Sequence, residues 1–264
     1  MTLFRTDLLI NNYLNAEQLN LITQRKELIE PISSYFPDST CLDIHTNLLR
    51  HGLVNPENST RHIVEKWLDQ DYLTIIKTHF TYLQQEWSGP DLSIFLYPID
   101  VRRQNIHKFD QHVSGLSFSD KIFLFCDWQT NKEWLYATLA HEYSHSIRLQ
   151  KLHDNDPNIL LRDTLILEGI AECITRELYG ISLLPELTQT NSDLEVAFEK
   201  WFKPHLDISI NHPLHHHLIY GIDPIPKYLG YFVGAYLVDH WFAKQQIKVN
   251  ELIYIPTEDF FKQS

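Results

Sequence analysis

Two stretches constrain this chain more than any others: LAHEYSHSIRLQ at residues 139–150 and TLILEGIAECITRELYG at 164–180. Both carry apolar residues at helical spacing, and the second starts 19 residues after His145. In a helix, residues four apart differ by about 40° of rotation and about 6 Å of axis, so His141 and His145 can aim their imidazoles at one point. Glu142, one step round the same helix, does not share that point but can reach a water beside it. In the second stretch Glu168 and Glu172 repeat the four-residue spacing, and the leucine, isoleucine and alanine around both argue against a solvated acidic face. Gly169, without a side chain, lets the second helix pass close to the first. The fold must therefore hold two neighbouring helices whose imidazoles and carboxylates meet.

Imidazoles converging on one point suit a tetrahedral metal such as Zn²⁺. One glutamate of the pair would bind the ion while the other accepts an N–H bond from a ligating histidine. Cys41, Cys126 and Cys173 are odd in number and lack CxxC spacing, so they read as reduced thiols, and the metal has to use histidine and carboxylate ligands. A formal charge of −12, from 34 acidic against 22 basic side chains, opposes binding to nucleic acid or to an anionic membrane surface. The start, MTLFRTDLLINNYLN, resembles no signal peptide, and no later run reaches the ~18 apolar residues of a membrane span, so a cytoplasmic protein is expected.

The coarse order is helices, strands, then helices. Residues about 16 to 30 and about 60 to 87 have helical periodicity, the latter stopping at Ser88-Gly89-Pro90. SIFLYPI (93–99) and KIFLFCD (121–127) read as strands, with HVSGLSF between them as a third. Then come a helix over 133–150, a turn at His153 to Pro157, and a helix over roughly 163–179 ended by Gly180. Ser192 with Glu195 forms a capping box for a short helix that Pro204 ends, and Pro226 opens a last helix to about Lys244. The expected fold is α+β, with a small, mostly antiparallel sheet before the helix of His141. The domain reading is 1–89 as an N-terminal helical region and 90–264 as the domain with the metal site and C-terminal helices, packed as one unit.

HEYSH and LEGIAE together resemble the gluzincin metallopeptidases, whose H-E-x-x-H helix is followed by a second helix bearing a glutamate ligand. HEYSHSIR, EGIAE and LGYFVGAYLV are similar more closely to the YjaZ-like family of predicted bacterial zinc-dependent proteases, over about residues 90 to 245. The resemblance implies a zincin-like fold, His141, His145 and Glu168 as zinc ligands, Glu142 as catalytic base and Glu172 behind the ligands. It also puts Tyr231, in GYFVGAY, near the site, where a downstream tyrosine or histidine commonly hydrogen-bonds the oxyanion. The G-x-M-E-N motif of the aminopeptidase branch is absent, which disfavours amino-terminal trimming. The substrate implied is a peptide or protein, and one lying along the edge strand near 113–118 would gain backbone pairing without strong sequence preference. The competing reading is a non-catalytic, zinc-stabilised binding or co-chaperone-like protein; such a site needs no base at Glu142 and usually closes its fourth position.

Weaker features have plainer readings. HPLHHHLIYG (212–221), with His205, puts five histidines within 13 residues, a second metal site, a source of transition-state donors or, more simply, a polar loop. Gly230 and Gly234 form a GxxxG that signals close helix packing. Arg148 reads as a partner of an acidic neighbour or as a binder of a substrate carboxylate.

Overall fold

The computed structural model describes residues 2–57, 61–102, 112–155, 158–186 and 188–262. The chain is α+β and divides into two compact units, Met1–Leu139 and Ala140–Ser264.

The first unit is built round a four-stranded mixed sheet in the order β1-β2-β4-β3: β1 (Thr2–Leu3), β2 (Ser93–Pro98), β3 (Val113–Ser117) and β4 (Lys121–Cys126). Here the expectation of a mostly antiparallel sheet is corrected. β1 pairs with β2 and β2 with β4 in parallel, and only β3 with β4 is antiparallel. The reason lies in the strands themselves: IFLYP and KIFLFC are buried at every position, the mark of strands covered on both faces, which parallel pairing favours. Register puts Phe95 beside Phe123, whose rings stack at 4.6 Å. β3, VSGLS, is polar and partly exposed, and takes the edge.

The helices of this unit are shorter and more broken than their periodicity predicts. An unpredicted helix, α1, runs over Thr6–Leu14. The 16–30 stretch contains α2 (Leu21–Gln24), a π turn (Arg25–Ile29) and a 3₁₀ segment (Glu30–Tyr35) with Pro31 in its first turn. α3 (Cys41–His51) starts from a Thr40/Asp43 capping box, and the 60–87 run contains α4 (Arg61–Leu68) and α5 (Tyr72–Trp87). α5 stops where expected, at Ser88 in the left-handed region. Its Tyr72 hydroxyl donates to the Asp127 and Thr130 carbonyls, which fixes the turn leading into the next helix.

That helix, α6 (Lys132–Asn155), contains the division between the units and is longer than predicted, running through His153 to Asn155; Asp156 and Pro157 lie outside the described residues. α7 (Leu161–Tyr179) ends at Gly180 with φ +65°, as its sequence implies. α8 (Asn191–Ala197) is capped by Thr190 and Asp193 rather than by Ser192 and Glu195. It continues through a π turn and a 3₁₀ turn that contains Pro204. α9 (Pro213–Tyr220) and α10 (Leu229–Phe242) follow. α10 is apolar on nearly every side and packs on α7. The glycine expectation is corrected here as well: Gly169 faces α10, where a β-carbon would lie 2.2 Å from the Gly234 carbonyl oxygen. Arg176 closes the same helix pair through its Nη2, which donates to both carboxylate oxygens of Asp239 at 2.6 and 2.7 Å. Among the described residues no helix is long and apolar enough to cross a membrane.

Candidate metal centre

The donor helix is pinned from inside. Ser144 and Ser146, both fully buried, return their hydroxyls to the carbonyls of His141 (2.7 Å) and Glu142 (3.1 Å). Polar side chains are thus satisfied in an apolar setting while the backbone turn bearing the donors is held. With Tyr143 and Ile147 buried, the helix has one rotation about its axis available, and it presents His141 and His145 to α7.

On α7, Glu168 meets both histidines. Its Oε2 stands 3.6 Å from His141 Nε2 and 3.5 Å from His145 Nε2, and all three ligand atoms lie within 4.8 Å of one another. These separations exceed a hydrogen bond, which is ~2.7–3.2 Å. They approach the edge of about 3.3–3.4 Å of a tetrahedron with bonds of about 2.0–2.1 Å. The imidazole planes cross at 79°. Two imidazole nitrogens and one carboxylate, nearly buried and converging at more than hydrogen-bond distance, are a donor set that zinc fits. Among the described residues no other group of three His, Cys, Asp or Glu side chains converges in this way.

The electrostatics favour a cation. Burial opposes charging of His141, but its contact with Glu168 and the charges of Glu142, Glu168 and Glu172 outweigh that and raise its pKa. Burial would raise Glu168, yet the two histidines hold it down to about 2, so this carboxylate stays ionised in a site with little water. Glu142 is buried beside the donors, and no described residue donates a hydrogen bond to its carboxylate.

Glu172 has a different set of partners from the one anticipated. It accepts the Ser182 hydroxyl at 2.6 Å and the Leu183 N–H at 3.0 Å, while Nδ1 of both His141 and His145 is buried without a hydrogen-bond partner among the described residues. The chain turns back after Gly180 and delivers those donors to the carboxylate, which stands 3.5 Å from Arg176. Burial nonetheless pushes the Glu172 pKa up.

Tyr231, in the first turn of α10, is placed close enough for Glu168 and Glu142 to act on it; burial first and then those charges drive its pKa well above the ordinary phenol value. Tyr220, at the end of α9, was not singled out in the sequence: its ring lies 5.8 Å from that of Tyr231 and it too feels Glu168. The histidine cluster disperses instead of converging. His212 caps α9, His215 bonds Thr164 at 3.0 Å and His216 lies against Tyr220, while His217 points to solvent. Arg148 spends its guanidinium on the carbonyls of Leu252, Ile253 and Ile255 and on the Thr257 hydroxyl, while the acidic neighbours Asp163 and Glu258 act on it through their charges.

The profile of the family described as "Predicted Zn-dependent protease (DUF2268)" matches residues 72–262, which takes in every residue of this centre. The chain belongs to that family. Its relatives include the uncharacterized protein YjaZ of Bacillus subtilis (strain 168), 32% identical over 216 residues, or 81% of this chain and 83% of that one. The uncharacterized protein YjfC of the same organism is 23% identical over 137 residues, 48% of this chain and 46% of its own. No solved structure matches.

Proposed function

We propose that this chain is a zinc-dependent metallopeptidase of gluzincin type, with His141, His145 and Glu168 as metal ligands and Glu142 as general base. The observation that carries the proposal is the convergence of His141 Nε2, His145 Nε2 and Glu168 Oε2 beside the buried carboxylate of Glu142, to which no described residue donates a hydrogen bond. A structural ion has no use for such a carboxylate, whereas hydrolysis does. The family description supports the same reading.

Zinc, when bound, supplies Lewis-acid polarisation and a water of lowered pKa. Glu142 takes a proton from the attacking water as its oxygen forms a bond to the peptide carbon. It then gives that proton to the amide nitrogen as the C–N bond breaks. Tyr231, on which the charges of Glu168 and Glu142 act, would donate its O–H to the carbonyl oxygen as that oxygen gains charge. The substrate is a peptide or protein.

The test pairs two variants. Glu142→Gln should keep zinc and fold while single-turnover cleavage of a peptide cut by the wild type falls ~10²- to 10⁴-fold. His141→Ala should lose most of the zinc by elemental analysis. Zinc unchanged in His141→Ala defeats the ligand assignment. Zinc-loaded wild type that cleaves nothing in a broad peptide library turns the reading to a zinc-stabilised binding protein.

A further inference from the structure

The corner between α9 and α10 is built more tightly than a connection needs to be. α9 ends at Tyr220, and the next residue, Gly221, has φ +70° with the Pro226 carbonyl so close that a β-carbon would lie 1.9 Å from its oxygen. The chain returns so that the Tyr228 N–H donates to the Tyr220 carbonyl at 2.8 Å. Tyr228 itself sits at φ +61°, a left-handed conformation that is costly for a bulky side chain and persists only where the surroundings impose it. Gly230 then lets α10 press against α9: a β-carbon there would lie 2.6 Å from the Ile219 Cα.

The product of this construction is a cluster of three tyrosines. The Tyr231 ring meets Tyr220 at 5.8 Å and 62°, and Tyr228 at 6.1 Å and 81°. Both are edge-on contacts, the arrangement in which aromatic pairs lock each other's orientation. The hydroxyls of Tyr220 and Tyr231 interact, and the charge of Glu168 reaches both. On its other neighbour Tyr220 is steadied by the His216 ring, 4.5 Å away. Tyr231 is largely enclosed, whereas Tyr220 remains 41% exposed. A phenol O–H rotates freely about its C–O bond, so the direction of the Tyr231 proton depends on what holds the ring and the oxygen in place.

Resting on the peptidase reading above, we infer that Tyr220 is the positioning residue for Tyr231, its ring fixing the Tyr231 ring and its hydroxyl pairing with the Tyr231 hydroxyl to hold it beside Glu168. The strained Tyr228 and the glycine-tight corner keep this pair in register with Glu168.

The experiment compares Tyr220→Phe, Tyr231→Phe and the double variant, each zinc-loaded, by peptide cleavage and by calorimetric binding of a phosphinic peptide, a tetrahedral mimic of the hydrated carbonyl. Tyr231→Phe should lower kcat by ~10²-fold. Tyr220→Phe, acting through Tyr231, should lower kcat by ~10-fold with KM within twofold of wild type. The double variant should match Tyr231→Phe alone, since Tyr220 has nothing left to position. Phosphinic-peptide affinity should fall in the same order. Wild-type kcat and phosphinic affinity in Tyr220→Phe, or losses that add in the double variant, overturn the inference and leave the peptidase reading standing. If wild type cleaves no peptide but binds the mimic, the affinities decide in the same way. If it does neither, the peptidase reading falls and this inference with it.

Discussion

His45 and His141 show how far environment alone moves one residue type. His45 is buried with its Nε2 against the Gln24 side-chain oxygen at 2.8 Å, and burial, aided by Arg25, drops its pKa to about 4. His141 is also buried, but Glu142, Glu168 and Glu172 stand round it, and its pKa moves up. The direction is decided by the presence of carboxylates, and the same carboxylates that would hold a proton on His141 suit it to hold a metal. The consequence for His45 is a stability that depends on pH. Its folded pKa of about 4 lies below the ordinary 6.5. The contribution is therefore complete above 6.5 and is lost as pH falls towards 4, because the unfolded chain takes up a proton that the folded one refuses. Between pH 7 and pH 5, wild type should lose roughly 1–2 kcal/mol more than His45→Gln, read as urea midpoints at the two values. Equal pH slopes for the two proteins would remove His45 from the account.

Among the elements, the α7–α10 pair sets the position of Glu168. Gly169 and Gly234 let the two backbones touch: a β-carbon on either would lie 2.2 Å from a carbonyl oxygen of the other helix. Backbone cannot step aside as a flexible side chain does, so Gly169→Ala should destabilise by about 1–3 kcal/mol and, by moving its neighbour Glu168, weaken zinc binding too. Gly180→Ala is the control. It has open space but φ +65°, so it should cost about 1 kcal/mol and leave zinc affinity alone. Urea midpoints with zinc titrations check both, and an unaltered Gly169→Ala protein would show that the helices can slide apart freely. The sequence disclosed the donor helices because His141/His145 and Glu168/Glu172 repeat at the helical period, a local signal. It disclosed β2 and β4 as apolar runs for the same reason. It did not disclose that these two strands lie side by side, since pairing depends on where the 99–112 connection leads. Nor did it disclose which helix Gly169 touches, or that Tyr220 and Tyr231 meet round a corner with no repeating pattern.

At the scale of the whole molecule, residues 249–261 of the second unit are held by charged side chains of α6: Lys151 donates to the Tyr254 carbonyl at 2.7 Å, and Arg148 makes the larger set of bonds. Arg148, three residues past His145, sits 4% exposed and spends its guanidinium on the carbonyls of Leu252 (3.4 Å), Ile253 (3.0 Å) and Ile255 (2.9 Å) and on the Thr257 hydroxyl (3.2 Å). Burial pulls its pKa down to about 10, against the favourable charges of Asp163 and Glu258, so it remains a cation at neutral pH. Those contacts span more than a hundred positions of sequence, beyond the reach of any periodicity, and Arg148 in the sequence resembles one more surface base in a chain of net charge −12. Carbonyls turned inward in short 3₁₀ segments have few other donors, and the fork of a guanidinium serves several at once where an ammonium would serve one or two. Arg148→Met keeps the apolar stem and deletes the donors to the Ile253 and Ile255 carbonyls, while the Leu252 carbonyl keeps the Ile255 N–H; each buried oxygen left without a donor is worth about 1–3 kcal/mol. The variant should therefore lose roughly 3 kcal/mol in urea unfolding, and amide hydrogen exchange should rise first in residues 249–261. Arg148→Lys should recover less than half of the loss. Wild-type exchange over 249–261 in Arg148→Met would mean that apolar packing of Leu252, Ile253 and Phe260 is enough to hold the chain end in place.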